Sequence, residues 1–152
     1  MAASLGIVMD QQTKQQTFFN SHDKDIVSFS IHPNRQIAAT GQMAHIGEAK
    51  KIDIYVWNIE SKEVLARFNE FHLRAIVFLK FSPDGTILAS IGQDDDNSIA
   101  LHDWQSKRMI VTSNVDKAKV NCMSWLSNTE FATCGNKHIK FWKLNGRNLT
   151  AT

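Results

Sequence analysis

Three groups of residues are of the types that do chemistry. Histidine, hydroxyl and carboxylate recur as His22 with Thr40, as His72 with Ser90 and Asp94 or Asp95, and as Thr133 without an obvious histidine. By type alone they resemble a nucleophile, its base and an orienting acid. Such a triad needs the nucleophile exposed beside the base. A buried hydroxyl or imidazole instead has to find a partner inside the protein. The structural reading is the simpler one for these residues, and no enzyme is expected.

The run Asp94-Asp95-Asp96 is the second group. Carboxylates suit hard cations, but a calcium loop spaces its ligands and this run does not. An acidic turn is expected, with no metal. Cys122 and Cys134 are the only cysteines. They lack Cys-x-x-Cys spacing and a histidine at zinc spacing. They read as small thiols on neighbouring strands, able to approach each other. The seven glycines are scattered and form no phosphate-cradling loop, so no cofactor is expected.

The third group is basic. Five residues past Met9, Trp57, His102 and Trp142 stand Lys14, Lys62, Lys107 and Arg147, with Arg108 following Lys107. The recurrence predicts an arc of positive charge. Lys50 and Lys51 close a separate insertion, "MAHIGEAKK" at 43–51, the longest inner loop of the chain. Long loops on a rigid scaffold commonly carry binding contacts.

The elements that must position these residues repeat. "GIVMD", "IYVWN", "IALHD" and "IKFWK" are alternating strands whose fourth residues lie 48, 45 and 40 positions apart. Upstream come "IAATG", "ILASIG" and "FATCG", each with a hydroxyl near a glycine. Further upstream come "IVSFSIHPN", "IVFLKFSPDG" and "VNCMSWLSN", ending in turn residues. "EVLARF", "RMIVTS" and the start of "NLTAT" supply fourth strands. Within the last copy, Gly135-Asn136 is expected to supply the positive φ angles of a two-residue hairpin turn.

A unit of four short strands repeating every 40–45 residues has the period of a WD40-type β-propeller blade. The fold class expected is all-β: a partial propeller of about three four-stranded antiparallel blades. Residues 22–68, 72–113 and 120–152 form the blades, the last short of part of its outer strand. Residues 3–19 form the end of a preceding blade. Propellers close with about four to eight blades, so the remaining blades of a parent chain are implied partners.

Composition agrees with a soluble domain of this kind. Charged residues make up 21% of the 152, and the formal net charge is +2. No basic stripe marks a nucleic-acid binder. No apolar run approaches the roughly 20 residues that span a bilayer. "LGIVM" is too short for a signal-peptide core. A cytosolic protein is expected, bound to neither nucleic acid nor membrane.

The chain resembles the WD40 superfamily, and more closely the echinoderm microtubule-associated protein-like family. Generic hallmarks are "SH" at 21–22, "HPN" at 32–34, "VWN" at 56–58 and "FSPDG" at 81–85. More specific are "IAATGQ" at 37–42, "LHDWQ" at 101–105 and "TCGNKHIKFWKLNGRNLT" at 133–150. The family shows a similar Ala-Thr-Gly-Gln, Trp-Asp-Trp-Gln and Thr-Cys-Gly…His-Ile…Phe-Trp…Gly…Leu, in the same order, early in its first propeller. His102 departs by standing where the first Trp of that second motif falls; Trp104 keeps the second. The coiled coil and hydrophobic motif that precede the propeller in that family are absent from these 152 residues.

The resemblance implies that His22, Thr40, Trp57, His72, Ser90, His102, Trp104, Thr133 and Trp142 knit blades together. It implies a non-enzymatic protein that binds tubulin or microtubules through propeller surfaces, in the cytoplasm, the cytoskeleton or a ciliary axoneme. The alternative is a general WD40 scaffold, a signalling or substrate adaptor that does not bind tubulin. In either case other proteins dock on the propeller faces.

Overall fold

The middle strands of the first two repeats are apolar or small at most positions, which suits a strand covered on both faces. The computed structural model describes residues 3–44 and 52–152 and shows why. Fourteen strands form in the described residues: β1 (Gly6–Met9), β2 (Gln16–Phe19), β3 (Ile26–Ile31), β4 (Ile37–Gln42), β5 (Ile54–Asn58), β6 (Val64–Phe68), β7 (Ile76–Phe81), β8 (Ile87–Gly92), β9 (Ser98–Asp103), β10 (Arg108–Asn114), β11 (Val120–Trp125), β12 (Glu130–Gly135), β13 (His138–Asn145) and β14 (Asn148–Ala151). They pair as three four-stranded antiparallel meanders, β3–β6, β7–β10 and β11–β14, and a two-stranded sheet, β1–β2. This is the architecture of a partial β-propeller.

Each meander's first strand carries a bulge at the same place: between Ile26 and Ser28, Ile76 and Phe78, and Val120 and Cys122. A bulge adds twist. Its repetition gives the three sheets a common shape, so they pack face to face. Ile54, Val56, Ile76, Leu79 and Leu88 fill the first interface. Ile91, Ile99, Leu101, Met123, Phe131 and Trp142 fill the second.

First strands are also stitched across the sheets. Ser28 Oγ donates to Ile76 O, Phe81 N to Ser30 Oγ at 3.2 Å, and Trp125 Nε1 to Lys80 O at 3.2 Å. The turns after those strands join too. Trp104 Nε1 donates to Gly85 O at 2.7 Å beside His32, and Asp84 N donates to Asn128 Oδ1 at 3.1 Å.

Burial changes at the last sheet. Along β13, Trp142 is 3% exposed, while Ile139 and Phe141 on the other phase are 68% and 52% exposed. Among the described residues nothing covers that face. Ile7, Met9, Phe29 and Ile31 are exposed in the same way at the other end of the stack.

One turn differs from expectation. The β12–β13 turn is Asn136-Lys137, and Lys137, not Gly135, takes a positive φ, 64°. Gly135 is needed for space: a Cβ there would lie 2.1 Å from Lys119 O and 2.4 Å from the His138 ring.

Candidate functional site

The histidines and hydroxyls form buried polar chains inside the sheets. In the first, Trp57 Nε1–H donates to Thr40 Oγ1 at 3.1 Å. The Thr40 hydroxyl donates to His22 Nε2 at 2.8 Å, and His22 Nδ1–H to Gln42 Oε1 at 2.7 Å. Gln42 Nε2–H then donates to Asp23 Oδ1 at 2.9 Å. Every donor meets an acceptor when His22 is neutral, and burial lowers its pKa accordingly. Gln42 fills the place for which the sequence offers no aspartate.

In the second sheet His102 replaces tryptophan. Its Nε2 lies 2.9 Å from Ser90 Oγ, and Ser90 Oγ lies 2.8 Å from His72 Nε2. His72 Nδ1 lies 3.1 Å from Ser98 Oγ, whose hydroxyl donates to Asp94. Asp94 is therefore the acid of this chain, reached through Ser98. Asp95 instead pairs with Arg74 at 2.8 Å. Burial lowers the His72 pKa to about 4. Burial and then the nearby His72 lower that of His102 to about 3. Both rings are neutral, and His102 Nδ1 is buried without a partner.

In the third sheet Trp142 Nε1 donates to Thr133 Oγ1 at 2.9 Å. The loop position that holds His22 and His72, four residues before the first strand, is Asp116 here. Asp116 pairs with Lys140 at 3.2 Å. His138 lies over Gly135 and is buried at both nitrogens, without a partner among the described residues.

These chains cannot do triad chemistry. Thr40, Ser90 and Thr133 are each 3% exposed or less, so no substrate carbonyl reaches the hydroxyls. The three acidic residues have separate tasks: Asp94 caps Ser98, Asp95 pairs with Arg74, and Asp96 accepts from Asn114 at 3.5 Å. Among the described residues no three His, Cys, Asp or Glu side chains gather to hold a metal ion.

The basic residues occupy equivalent turns. Lys14 joins β1 to β2, Lys62 joins β5 to β6, Lys107 joins β9 to β10, and Arg147 joins β13 to β14. Lys14, Lys62 and Lys107 all sit at positive φ, 59°, 63° and 57°. The last turn is tighter, and Gly146 takes that conformation (61°), with Arg147 next to it. Side-chain caps hold the loops. Asp10 Oδ1 accepts from Gln12 N and Thr13 N, Asn58 Oδ1 from Glu60 N and Ser61 N, and Asp103 Oδ1 from Ser106 N. Those N–H groups lower the pKa of Asp10 and Asp103, whose carboxylates turn back into the loops. Lys14, Lys107, Arg108 and Arg147 are exposed, whereas Lys62 bonds to the carbonyls of Ile59 and Glu60 in its own turn.

Arg35, unnoticed in the sequence, belongs to the same edge. It also sits at positive φ (60°) and lines a groove of about 680 Å³ with Asp10, Asn58, Glu60 and Lys62. Its turn, Asn34-Arg35, carries no glycine that would have marked the conformation. Lys50 and Lys51 lie outside the described residues.

Stacked meanders with a Trp–Thr bond buried in the first and third and a His–Ser–His chain in the second, and loops on both edges, define the class: a WD-repeat β-propeller segment. A family model described as the echinoderm microtubule-associated protein first beta-propeller matches residues 15–152. The chain belongs to that family. It is 31% identical over 138 residues to cilia- and flagella-associated protein 52 of Homo sapiens and 28% over 137 to that of Chlamydomonas reinhardtii, covering 88% and 89% of this chain. It is 25% identical over 153 residues to the 77 kDa echinoderm microtubule-associated protein of Strongylocentrotus purpuratus, covering 97% of this chain. The chain spans 22% of the length of each of these relatives.

Proposed function

We propose that this chain is part of a microtubule-associated propeller scaffold, cytoplasmic or axonemal, that binds tubulin through the turn edge carrying Lys14, Lys62, Lys107, Arg108 and Arg147. Its relatives' names, microtubule-associated and cilia- and flagella-associated, supply the partner class. The observation that carries the site is the three lysines at positive φ. That conformation costs an L-residue roughly 1–2 kcal/mol and favours glycine, as at Gly146. Stability alone would place glycine or asparagine in all four turns. A long cation held there three times fits a contact surface, and strain of this kind clusters at functional sites.

A basic edge meeting an acidic partner speeds encounter and fixes register, with an attraction that salt screens. The test is co-sedimentation of the intact protein with microtubules at low and at moderate salt. Pelleting that weakens with salt supports both partner and edge. Pelleting indifferent to salt keeps the partner and removes this edge as the main contact. A folded protein that stays in the supernatant at both salts overturns the reading in favour of a scaffold for other proteins.

A further inference from the structure

In the first and third sheets a tryptophan reaches the buried hydroxyl: Trp57 to Thr40 and Trp142 to Thr133. His102 takes that place in the second sheet, and an imidazole lacks the second ring of an indole. The space left is a cavity of about 60 Å³. Ile54 and Phe68 of the first sheet and Met109 of the second wall it, with Phe71 from the segment between them. Both sheets are four-stranded and pack on each other within this chain. The uncovered faces at the two ends of the stack lend the cavity no residue. Its lining runs out to the exposed Glu70 and Lys107, where it opens to solvent.

The polar chain of the second sheet fixes where each proton sits. The Asp94 carboxylate only accepts, so the Ser98 hydroxyl donates to it, and Ser98 Oγ accepts from His72 Nδ1–H at 3.1 Å. His72 Nε2 is then bare and accepts the Ser90 hydroxyl at 2.8 Å, closer than the 3.4 Å to Ala100 O. Ser90 Oγ in turn accepts from His102 Nε2–H at 2.9 Å. A neutral imidazole has one N–H, and that of His102 is spent on Ser90. His102 Nδ1 is therefore a bare acceptor. It has no partner among the described residues, on a ring that is 2% exposed and lines the cavity. A buried acceptor left unpaired favours a donor that can reach it.

We propose that this cavity is a binding site for a small neutral N–H heterocycle, whose ring takes the space of the missing indole ring and whose N–H donates to His102 Nδ1. Apolar walls with one polar anchor suit such a ring and disfavour a charged one. An apolar cavity of roughly 150 Å³ takes a benzene ring. This smaller one suits a five-membered ring whose outer edge stands in the mouth. So few atoms bind with a Kd on the order of millimolar. The site is separate from tubulin binding, although Lys107 of the basic edge stands at its mouth. A ring bound there touches Phe68 of β6 and Met109 of β10, and so ties the outer strands of two sheets together.

The test is saturation-transfer NMR on the intact, folded protein at neutral pH, with pyrrole and with furan as probes. The two rings match in shape, and only pyrrole carries a donor. Pyrrole is expected to give a saturable signal with half-saturation on the order of millimolar, and furan to bind several-fold more weakly. In His102→Trp, whose indole occupies the space, the saturable pyrrole signal should be lost. Equal saturation by pyrrole and furan, no saturable signal from either, or a pyrrole signal undiminished in His102→Trp overturns the proposal. The comparison of the two probes on the unsubstituted protein decides this even if the variant fails to fold.

Discussion

His102 Nε2 rests 2.9 Å from Ser90 Oγ, the seat that Trp57 Nε1 takes on Thr40 and Trp142 Nε1 on Thr133. The imidazole keeps the hydrogen bond and leaves the rest of the indole's space. A cavity of about 60 Å³ lies beside it, lined by Ile54, Phe68, Phe71 and Met109 among others. Phe19 stacks on Trp57 at 4.3 Å; Phe68 meets the smaller His102 ring tilted at 35°. His102→Trp should fill the cavity and remove the unpartnered Nδ1, raising stability by about 1–3 kcal/mol. A higher urea midpoint of the intact protein checks this. A lower one would mean that Phe68 and Met109 have closed onto the smaller ring.

The same pair sets an acid limit. His72 and His102 stay neutral in the fold down to about pH 4 and 3. Once unfolded they titrate near 6.5, so the unfolded chain takes up protons first as pH falls. The stability they contribute is complete above about pH 6.5 and is lost as pH falls from there toward about 4. For His72 the difference amounts to about 3 kcal/mol. Urea midpoints should hold from pH 7.5 to about 6.5 and then fall toward pH 4.5, less steeply in His102→Trp. Midpoints independent of pH over that range would contradict a neutral buried pair.

The turn lysines separate stability from binding. Lys14→Gly, Lys62→Gly and Lys107→Gly each relieve positive φ and should leave the fold equally or more stable, by up to about 1 kcal/mol. The triple variant should pellet several-fold less with microtubules at low salt. Lys62→Gly alone should matter least, since that ammonium is tied to its own turn. A triple variant that binds undiminished would return the lysines to turn chemistry.

What the sequence made legible depended on spacing. Thr40, Ser90, Thr133, Trp57 and Trp142 fall at repeated positions, and their hydrogen-bond roles follow from the repeat. Gln42 was hidden because it stands where an acid is expected, and Ser98 because it relays His72 to Asp94, through contacts that no strand period encodes. Asp116 at a histidine position, paired with Lys140 of β13, is visible only once the register is known. Arg35 was missed because its positive φ carries no glycine signal.

Gly135 was read as a turn former, and the structure gives it another role that a pair of substitutions can test. In Gly135→Ala the new Cβ meets a backbone oxygen, that of Lys119, as well as the His138 ring. The Lys119 oxygen cannot withdraw without parting β11 from β12 where Asn136 N donates to it at 3.0 Å. A loss of about 2–4 kcal/mol is expected. Lys137→Gly acts in the opposite sense, because Lys137 is the turn residue at positive φ, and should stabilise by about 0.5–1 kcal/mol. Urea midpoints of the two variants in the intact protein should therefore move in opposite directions. A tolerated Gly135→Ala together with a destabilising Lys137→Gly would return the turn to Gly135-Asn136 and shift the β12–β13 register by two residues, setting Phe131 opposite Lys140 instead of Trp142. That shift would keep each side chain on its face but carry Trp142 away from Thr133. The 3% exposure of Trp142 and its hydrogen bond to Thr133 argue against it.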